Sequence, residues 1–347
     1  MAPSEYSTTR LRITLRDVAD RAGVHASTVS RALNPEKSGM VAPDVARRVA
    51  DAVEQLGYRP NPIASSLRTN RTFTIGIVIP DVTNPLFPPI IRGIEDTLAP
   101  AGYTAIIANT DNDPDRERLT VEHMRERRVD GLILATARRK DGLIETCQRD
   151  DIPLVLVNRT IDGDGVACIL SDEALGMKLV VDHMAALGHS KIAYVGGPNH
   201  LSTGHLRTKG FCRAMRQAGH TPDPDLMVLA ENFREEPGRL ACIDLIARHK
   251  KFTALIAGND LLALGCLDAF AEAGLLCPRD VSLSGFNDMP FLSRLTPPLT
   301  TVRISHYHMG TRAAETILDL AKQAELLVQH FLLEPQLIIR KSTAPPP

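Results

Sequence analysis

The sequence has no apolar run long enough to span a bilayer, and its first residues, "MAPSEYSTTRLR", lack the apolar core of a signal peptide. Its six cysteines are scattered without a CxxC pair, which is typical of reduced thiols in a cytoplasmic protein. The histidines of "HYH" at 306–308 have no third ligand near them in sequence. We therefore expect a cytoplasmic protein that holds neither a metal ion nor another cofactor.

Four motifs of common enzymes are also missing. The sequence contains no dinucleotide fingerprint GxGxxG, no P-loop GxxxxGK[ST], no nucleophile elbow GxSxG and no zinc motif HExxH. The glycine-bearing "GGPNHLSTG" at 196–204 matches none of them. A missing motif does not by itself exclude catalysis, so an enzyme stays an alternative to the binding protein that we expect.

The formal net charge is only −1, but charge is unevenly distributed along the 347 residues. Residues 1–71 hold eleven Lys and Arg against seven Asp and Glu, a net charge of +4, and the remainder carries −5. A basic segment on an acidic body is typical of a protein that binds a polyanion at one end. A difference this small also arises by chance, so the motifs have to decide.

The stretch "TLRDVADRAGVHASTVSRALN", which begins at Thr14, has the pattern of two short helices joined by a glycine turn. Thr14 is placed to cap a helix that begins at Leu15, and Gly23 is placed to end it. A second helix is predicted from about Ala26 to Leu33, with small polar residues on its outer face. This is the helix-turn-helix pattern, in which the second helix enters the major groove of DNA.

The outer face of the second helix supplies the candidate DNA contacts. Arg31 has the fork geometry that reads guanine, and the hydroxyl and amide side chains around it suit phosphates or base edges. A third helix, which starts at Pro43 and ends before Gly57, gives the first two a surface to pack on. A plain three-helix bundle with a polar face has the same pattern and stays open at this point. The candidate DNA-binding residues of this segment are Thr14, Ala26, Ser27, Thr28, Ser30, Arg31 and Asn34.

After Thr72, apolar runs alternate with amphipathic stretches. The runs that read as buried parallel strands include "FTIGIVIP", "YTAIIANT", "DGLILAT", "PLVLVN", "KIAYVGG", "TALIAGN" and "VSLSGF". Helical stretches between them, such as 86–99, 115–128, 173–187 and 261–273, complete βαβ units. The predicted fold class of the body is α/β, with two consecutive parallel sheets.

Together these segments resemble the LacI (lactose repressor) family of bacterial transcriptional regulators. The resemblance rests on the helix-turn-helix stretch, on "VAPDVARRVADAVEQLGYRPNPIASSLRTNRTFTIGIVIPDVTNPLF", and on "VDGLILA", "GHSKIAYVGGP", "LRTKGF", "AGND", "VSLSGFND" and "TPPLTTVR". It covers nearly the whole chain, and it implies a three-helix DNA-binding domain at 13–60, a hinge helix at 61–71, and an effector-binding and dimerisation domain at 72–347. That domain is expected to be similar to periplasmic binding proteins, with two Rossmann-like parallel-sheet subdomains. Their expected bounds are about 72–170 with 298–327, and about 171–297 with 328–345.

The linker "RPNPIASSLRTNRT" gives different predictions by pattern and by resemblance. By pattern alone its prolines favour a flexible linker, since a helix this short is unstable in isolation. The resemblance implies a hinge helix that folds on DNA, with Asn61 at its cap and Leu67 as a wedge in the minor groove. The family usually has Ser where His25 stands and often Ser where Ala42 stands, both at helix caps, and the loop "NPEKSGMVAP" is longer than in most members.

Polar side chains follow nearly every predicted strand of the body. The carboxyl ends of parallel strands bind ligands, and amides, hydroxyls and guanidiniums there suit a polyhydroxylated or carboxylated small molecule. Asn and Asp at strand ends are also common turn residues. The resemblance implies that Arg207 holds the effector, and the uncharged Leu201 disfavours a purine. The candidate effector-binding residues are Phe87, Asn109, Asn158, Thr203, Arg207, Phe233, Asn259 and Asn287, and strand ends also carry Asp81, Arg159, Asp260 and Asp288.

The sequence therefore predicts a sequence-specific DNA-binding regulator. We expect a homodimer that binds palindromic double-stranded operator DNA and represses transcription, under the control of a small-molecule effector in the cleft between the subdomains. The expected effector is a sugar, a sugar acid or a similar polyol, and no membrane partner is expected. The C-terminal "IIRKSTAPPP" has no heptad repeat, so we expect no coiled-coil tetramer. A secreted solute-binding protein is a further alternative, but it would have no use for residues 1–71.

Overall fold

A computed structural model describes residues 13–33, 38–59, 71–322 and 330–347. The chain divides into two compact units, Met1–Thr72 and Phe73–Pro347. The predicted DNA contacts Asn34, Asn61 and Leu67 lie outside the described residues, as does nearly all of the predicted hinge helix.

The described part of the N-terminal unit contains three α-helices. They are α1 (Leu15–Ala22), α2 (Ala26–Ala32) and α3 (Pro43–Leu56). Their apolar faces enclose a small core of Val18, Ala19, Ala22, Val29, Val49, Ala52 and Tyr58. Three residues join α1 to α2, and both helices contact α3, which gives the helix-turn-helix arrangement predicted from the sequence.

The start of α1 is fixed by a capping box. The Thr14 hydroxyl accepts a hydrogen bond from the Asp17 amide at 3.4 Å, and the Thr14 amide donates to Asp17 Oδ2 at 2.7 Å. At the other end, Gly23 adopts φ 65°, the left-handed conformation that glycine tolerates best, and ends the helix. The predicted cap and stop residues of α1 are therefore confirmed.

The two unusual cap residues behave differently. His25 replaces the usual hydroxyl with its ring, because its Nδ1 accepts a hydrogen bond from the Ser27 amide at 3.3 Å. Ala42 has no side-chain acceptor and leaves the start of α3 without a side-chain cap, although Pro43 in the first turn removes one donor that would need a partner. The second helix ends at Ala32, one residue before the predicted end.

Replacing Thr14 by alanine is expected to destabilise the helix-turn-helix by about 1 kcal/mol, because the cap acceptor is lost. Amide hydrogens of α1 should then exchange roughly fivefold faster in hydrogen–deuterium exchange of the full-length protein. Thr14→Ser keeps the hydroxyl and is the matched control. Equal exchange rates in the two variants would contradict a stabilising role for this cap.

The body contains two six-stranded sheets. The first consists of β1 (Thr74–Ile79), β2 (Thr104–Asn109), β3 (Gly131–Leu134), β4 (Leu154–Val157), β5 (Ala167–Ser171) and β11 (His330–Leu333), in the order β11-β5-β4-β3-β1-β2, with all neighbours parallel. The second consists of β6 (Ile192–Gly196), β7 (Met227–Leu229), β8 (Ala254–Ala257), β9 (Ser282–Asn287), β10 (Thr300–Arg303) and β12 (Gln336–Ile338), in the order β12-β10-β9-β8-β6-β7. Its neighbours are parallel except for the pair β12 and β10. The predicted α/β class with two parallel-sheet subdomains is confirmed.

Helices cover the sheets and bury their apolar strands. They are α4 (Phe87–Leu98), α5 (Pro114–Glu126), α6 (Gly142–Arg149), α7 (Glu173–Ala186), α8 (Ser202–Gln217), α9 (Glu235–Ala247), α10 (Asp260–Glu272) and α11 (His306–Ala321). The close packing of α4 on α11 depends on Gly93 and Gly310. A Cβ at either position would lie 2.2 Å or less from a backbone oxygen of the facing helix. No helix among the described residues is long and apolar enough to cross a membrane.

The chain crosses between the two subdomains at three places. It leaves the first sheet after Ser171. It returns between Arg303 and His306 rather than near Pro297, because β10 pairs with β9 and so belongs to the second sheet. It crosses again between β11 and β12 rather than near Val328, because β11 pairs with β5 of the first sheet. The subdomain bounds expected from the sequence are therefore shifted by about six residues at these two crossings.

Candidate functional site

The outward face of α2 carries the side chains predicted to contact DNA. Ser27 and Arg31 are exposed, and Ala26, Thr28 and Ser30 are half-buried. Residues 27 and 31 are one helical turn apart, so they lie side by side on one face. Thr14 is exposed, but its hydroxyl also donates to Asp17 Oδ2 at 2.8 Å, which commits it to the capping box.

Arg31 makes only long hydrogen bonds inside α2. Its Nε donates to the Ser27 carbonyl at 3.3 Å, and its Nη2 donates to the Ser27 hydroxyl at 3.4 Å. Bonds of this length are weak, so their exchange for a guanine edge costs little. The frame behind α2 is firmer, because Arg21 of α1 donates twice to Gln55 Oε1 of α3, at 2.7 and 3.1 Å. The side chain of Arg31 can therefore change its partners, while hydrogen bonds between α1 and α3 hold the unit that carries α2.

A second candidate site lies in the body, where polar residues collect at the carboxyl ends of the strands. Asp81 follows β1 and Asn158 follows β4 in the first subdomain, and Asn259 and Asn287 lie at the ends of β8 and β9 in the second. All four are more than nine-tenths buried. Three of them have hydrogen-bond partners within the protein, and among these four only Asn158 Oδ1 has none in the described part of the chain. Polar groups at this edge of the sheets make it a candidate ligand site.

Direct contacts join the two subdomains across this cleft. Arg234, at the cap of α9, donates through Nη2 to Asp81 Oδ2 at 2.8 Å. The amide of Thr160 donates to the Ser202 hydroxyl at 2.9 Å. The Arg139 amide donates to the His200 carbonyl at 3.0 Å. The two halves are thus in contact around the cleft, which is the arrangement that a ligand between them would reinforce or disturb.

Arg207 is the most strongly bound of the predicted effector residues. It is 2% exposed, and its Nε and Nη2 donate to the two carboxylate oxygens of Glu173 at 2.5 and 3.2 Å. Its Nη1 donates to the Gly258 carbonyl at 2.7 Å, and Nη2 also reaches Asn287 Oδ1 at 3.2 Å. Its guanidinium lies 3.9 Å from the centre of the Phe286 ring. Burial raises the pKa of the Glu173 carboxyl, and the charge and hydrogen bonds of Arg207 oppose that shift.

Two of the predicted effector residues, Asn259 and Asn109, use both the oxygen and the nitrogen of their side-chain amides in hydrogen bonds within the protein. Asn259 caps α10, because its Oδ1 accepts from the Leu262 amide at 2.8 Å, and its Nδ2 donates to the Phe233 carbonyl at 3.3 Å. Asn109 accepts from the Val82 amide at 2.8 Å and donates to Asp111 at 2.6 Å. Each has limited capacity left for a ligand.

The remaining predicted effector residues differ in their burial and in their partners. Phe87 is 2% exposed and belongs to the main core, whereas Phe233 is half-buried, with its ring centre 5.9 Å from the Arg207 guanidinium. Thr203 is buried in the first turn of α8. Asn158 has φ 64°, and its buried Oδ1 has no hydrogen-bond partner in the part of the chain that the structure describes. A surface cavity of about 960 Å³ lies elsewhere, beside α11, and none of the predicted effector residues lines it.

Two residues of the cleft were not singled out from the sequence. Glu173 stands in "SDEALG", which reads as an ordinary helix start, so nothing local showed that it pairs with a residue 34 positions later. Arg234 lies in "NFREEPG", a charged helix start, and its link to Asp81 spans 153 positions. Both pairings arise from the sheet topology, which brings the ends of distant strands together.

Comparisons with known proteins match both parts of the chain to known domains. Residues 14–61 match the model of bacterial regulatory proteins of the lacI family, and residues 181–343 match the periplasmic binding protein-like domain. The regulator RegA of Clostridium saccharobutylicum is 35% identical over 331 residues, which are 95% of this chain and 98% of that protein. The chain belongs to the lacI family of bacterial regulatory proteins. As a member of that family it is a helix-turn-helix transcriptional regulator, as the sequence predicts.

Other relatives include proteins whose names state a ligand or pathway. The ribose operon repressor of Escherichia coli K12 is 32% identical, with 95% of this chain and 99% of that protein covered. The repressor PurR of Photobacterium profundum is also 32% identical, with 95% and 98% covered. The solved complex of the regulator CelR with cellobiose is 28% identical, covers 95% of this chain and all of that one, and has a TM-score of 0.74. The lac repressor dimer bound to operator, at 24% identity and a TM-score of 0.83 over 96% of this chain and 99% of that chain, shows the same fold.

Proposed function

We propose that this protein is a cytoplasmic transcriptional repressor whose homodimer binds a palindromic operator, with one α2 helix in the major groove of each half-site. The exposed face of α2 at Ser27 and Arg31, on a helix-turn-helix unit of this family, carries the proposal. The edge strand β2 exposes Ile106 and Ile107, 39% and 42% accessible, which favours burial against a second copy.

The proposed effector site is the cleft between the subdomains. Its buried amides, hydroxyls and guanidiniums suit a sugar, sugar acid or similar polyol. A relative named for ribose and a solved regulator bound to cellobiose support that class. The relative PurR suggests a purine instead, but the uncharged Leu201 disfavours a purine as the effector of this protein. A ligand acts on DNA binding only through its different affinity for two arrangements of the subdomains.

Catalysis is the competing function, and we propose that the protein is not an enzyme. Two of its buried carboxyls have hydrogen-bond partners within the protein: Glu173 accepts from Arg207, and Asp260 accepts from the Thr301 hydroxyl at 2.5 Å and the Met289 amide at 2.9 Å. Burial raises the pKa of Asp260 to about 7, which suits a hydrogen-bonded core carboxyl as well as an acid catalyst. The relatives, which are regulators, favour the first interpretation.

Removal of residues 1–71 tests this division of labour. The body, Phe73–Pro347, is a compact unit with its own core, so we expect it to fold and to keep its ligand-induced rise in unfolding temperature. It should lose all enrichment of specific duplexes from a random DNA pool, which the full-length protein should show. Retained duplex selection by the truncated chain would place DNA recognition in the body and contradict the proposal.

A further inference from the structure

Arg159 differs in its partners from Arg207, the other buried arginine of the described ranges. The two buried arginines there are Arg207 and Arg159, at 2% and 7% exposed. Arg207 has the Glu173 carboxylate as its partner. Arg159 forms no ion pair with a described residue, and its side chain reaches only the neutral Asn112 Oδ1, from Nη1 at 3.3 Å and Nη2 at 3.4 Å. Its Nε is buried without a hydrogen-bond partner.

A buried cation without a carboxylate is costly to the folded protein. Burial lowers the pKa of Arg159 to about 10, and the charge of Glu117 opposes that shift without contact. Glu117 itself accepts a hydrogen bond from the Thr136 hydroxyl. Arg159 therefore stays charged at neutral pH, with its charge not neutralised by direct contact, and a feature of this kind is typical of a binding site rather than of a core.

The side chain lies at the cleft and not behind it. Arg159 follows β4 at the ligand-binding edge of the first sheet. Burial lowers the pKa of His200, and the charges of Arg138 and Arg159 lower it further, so Arg159 lies within electrostatic reach of the second subdomain. Next to it in sequence, Asn158 offers a buried Oδ1 with no donor. Two consecutive residues at one edge of the cleft thus carry an N–H and an acceptor, each without a partner among the described residues.

We propose that the effector is a sugar acid whose carboxylate binds the free Nε edge of Arg159 and whose neighbouring hydroxyl donates to Asn158 Oδ1. This inference rests on the proposed effector site in the cleft and narrows its ligand class. A guanidinium binds a carboxylate through two parallel hydrogen bonds, one of them from Nε. Arg207 and Arg234 already have carboxylate partners, whereas Arg138, whose Nη2 donates to the Asn112 carbonyl at 2.8 Å, adds a second positive charge near Arg159. A phosphate therefore has to be compared directly with the carboxylate in the test.

The test compares acids with their neutral counterparts on the full-length protein. The matched probes are D-galacturonate with D-galactose and D-glucuronate with D-glucose, and glucose 6-phosphate is the phosphate arm. Thermal shift and calorimetric titration should show at least tenfold tighter binding of an acid than of its neutral counterpart. Tighter binding of a neutral sugar, or no response to either acid, overturns the sugar-acid proposal. If the protein responds to glucose 6-phosphate and to neither acid, the proposal that a carboxylate binds Arg159 is overturned. If the full-length protein still selects specific duplexes in these cases, and loses that selection without residues 1–71, the proposed function is supported although the sugar-acid proposal is wrong.

Arg159→Gln separates a ligand-binding role from a structural one. The variant keeps an amide that can hydrogen-bond but loses the buried charge, so the ligand-free protein should unfold at the same or a higher temperature. The acid-induced shift should disappear, and Arg159→Lys should retain part of it. Arg216→Gln, on the exposed end of α8, is the control and should leave the shift unchanged. A lower unfolding temperature of the ligand-free Arg159→Gln variant with an unchanged acid response would make Arg159 structural.

Discussion

Replacing Arg31 by alanine is expected to weaken specific operator binding by roughly 2–6 kcal/mol, because a bidentate arginine–guanine contact contributes about 1–3 kcal/mol and the dimer makes it in two half-sites. The folded state should be unaffected, since Arg31 is exposed and its hydrogen bonds to other described residues are two long ones, both to Ser27. Fluorescence anisotropy with a duplex selected from a random pool measures the loss, at fixed salt concentration because phosphate contacts depend on it.

The control for Arg31 is another exposed arginine of the same unit. Arg47 lies on α3, outside the predicted reading face, and Arg47→Ala removes the same charge. It should weaken specific and random duplexes to a similar, smaller extent. If Arg31→Ala also weakened both duplexes equally, Arg31 would be a phosphate contact, and the claim that it reads a base would be wrong.

Replacing Arg207 by alanine is expected to destabilise the body by about 3–5 kcal/mol, because Glu173 would be left as an unpaired buried carboxylate. The Gly258 carbonyl and Asn287 Oδ1 would also lose a donor. Urea unfolding of the body should show the loss as a lower midpoint with little change in slope. From the family resemblance alone, the same variant is expected to affect only the effector response.

The partner residue supplies the control for this pair. If the loss comes from an uncompensated charge, Arg207→Ala combined with Glu173→Gln should recover a substantial part of the stability. Glu173→Gln alone should be destabilising, because Arg207 then keeps its charge without a carboxylate. An Arg207→Ala variant as stable as the natural protein would contradict the buried pair.

Local signals in the sequence were enough for the elements but not for the crossings between subdomains. Thr14, Gly23 and Gly57 act within one turn of the helices they bound, so their effect is readable from neighbouring letters. The strand at Thr300–Arg303 is short, three of its four residues are polar, and its place in the second sheet depends on pairing with β9. Pairing between distant strands leaves no local trace, which is why the second and third crossings were placed too early.

The roles of the cleft residues also depend on distant contacts that local sequence does not show. The end of a strand predicts a ligand contact at Asn109, and the family resemblance adds to the same prediction for Asn259, yet the structure uses both to hold the turn or helix that follows. One letter cannot separate these roles, since an Asn side chain serves turns and ligands with the same two groups. The partners of Arg207 and Arg159 are 34 and 47 positions away, and only the folded sheets bring them together.

We propose that the outer face of α2 reads bases under the control of a ligand in the cleft. An anisotropy titration measures both properties, with full-length protein against a selected duplex and a random duplex, without and with D-galacturonate or D-glucuronate, whichever raises the unfolding temperature. We expect a clear preference for the selected duplex and a shift of its affinity by at least about fivefold when the acid is added. Equal affinity for both duplexes at physiological salt under all conditions would contradict it.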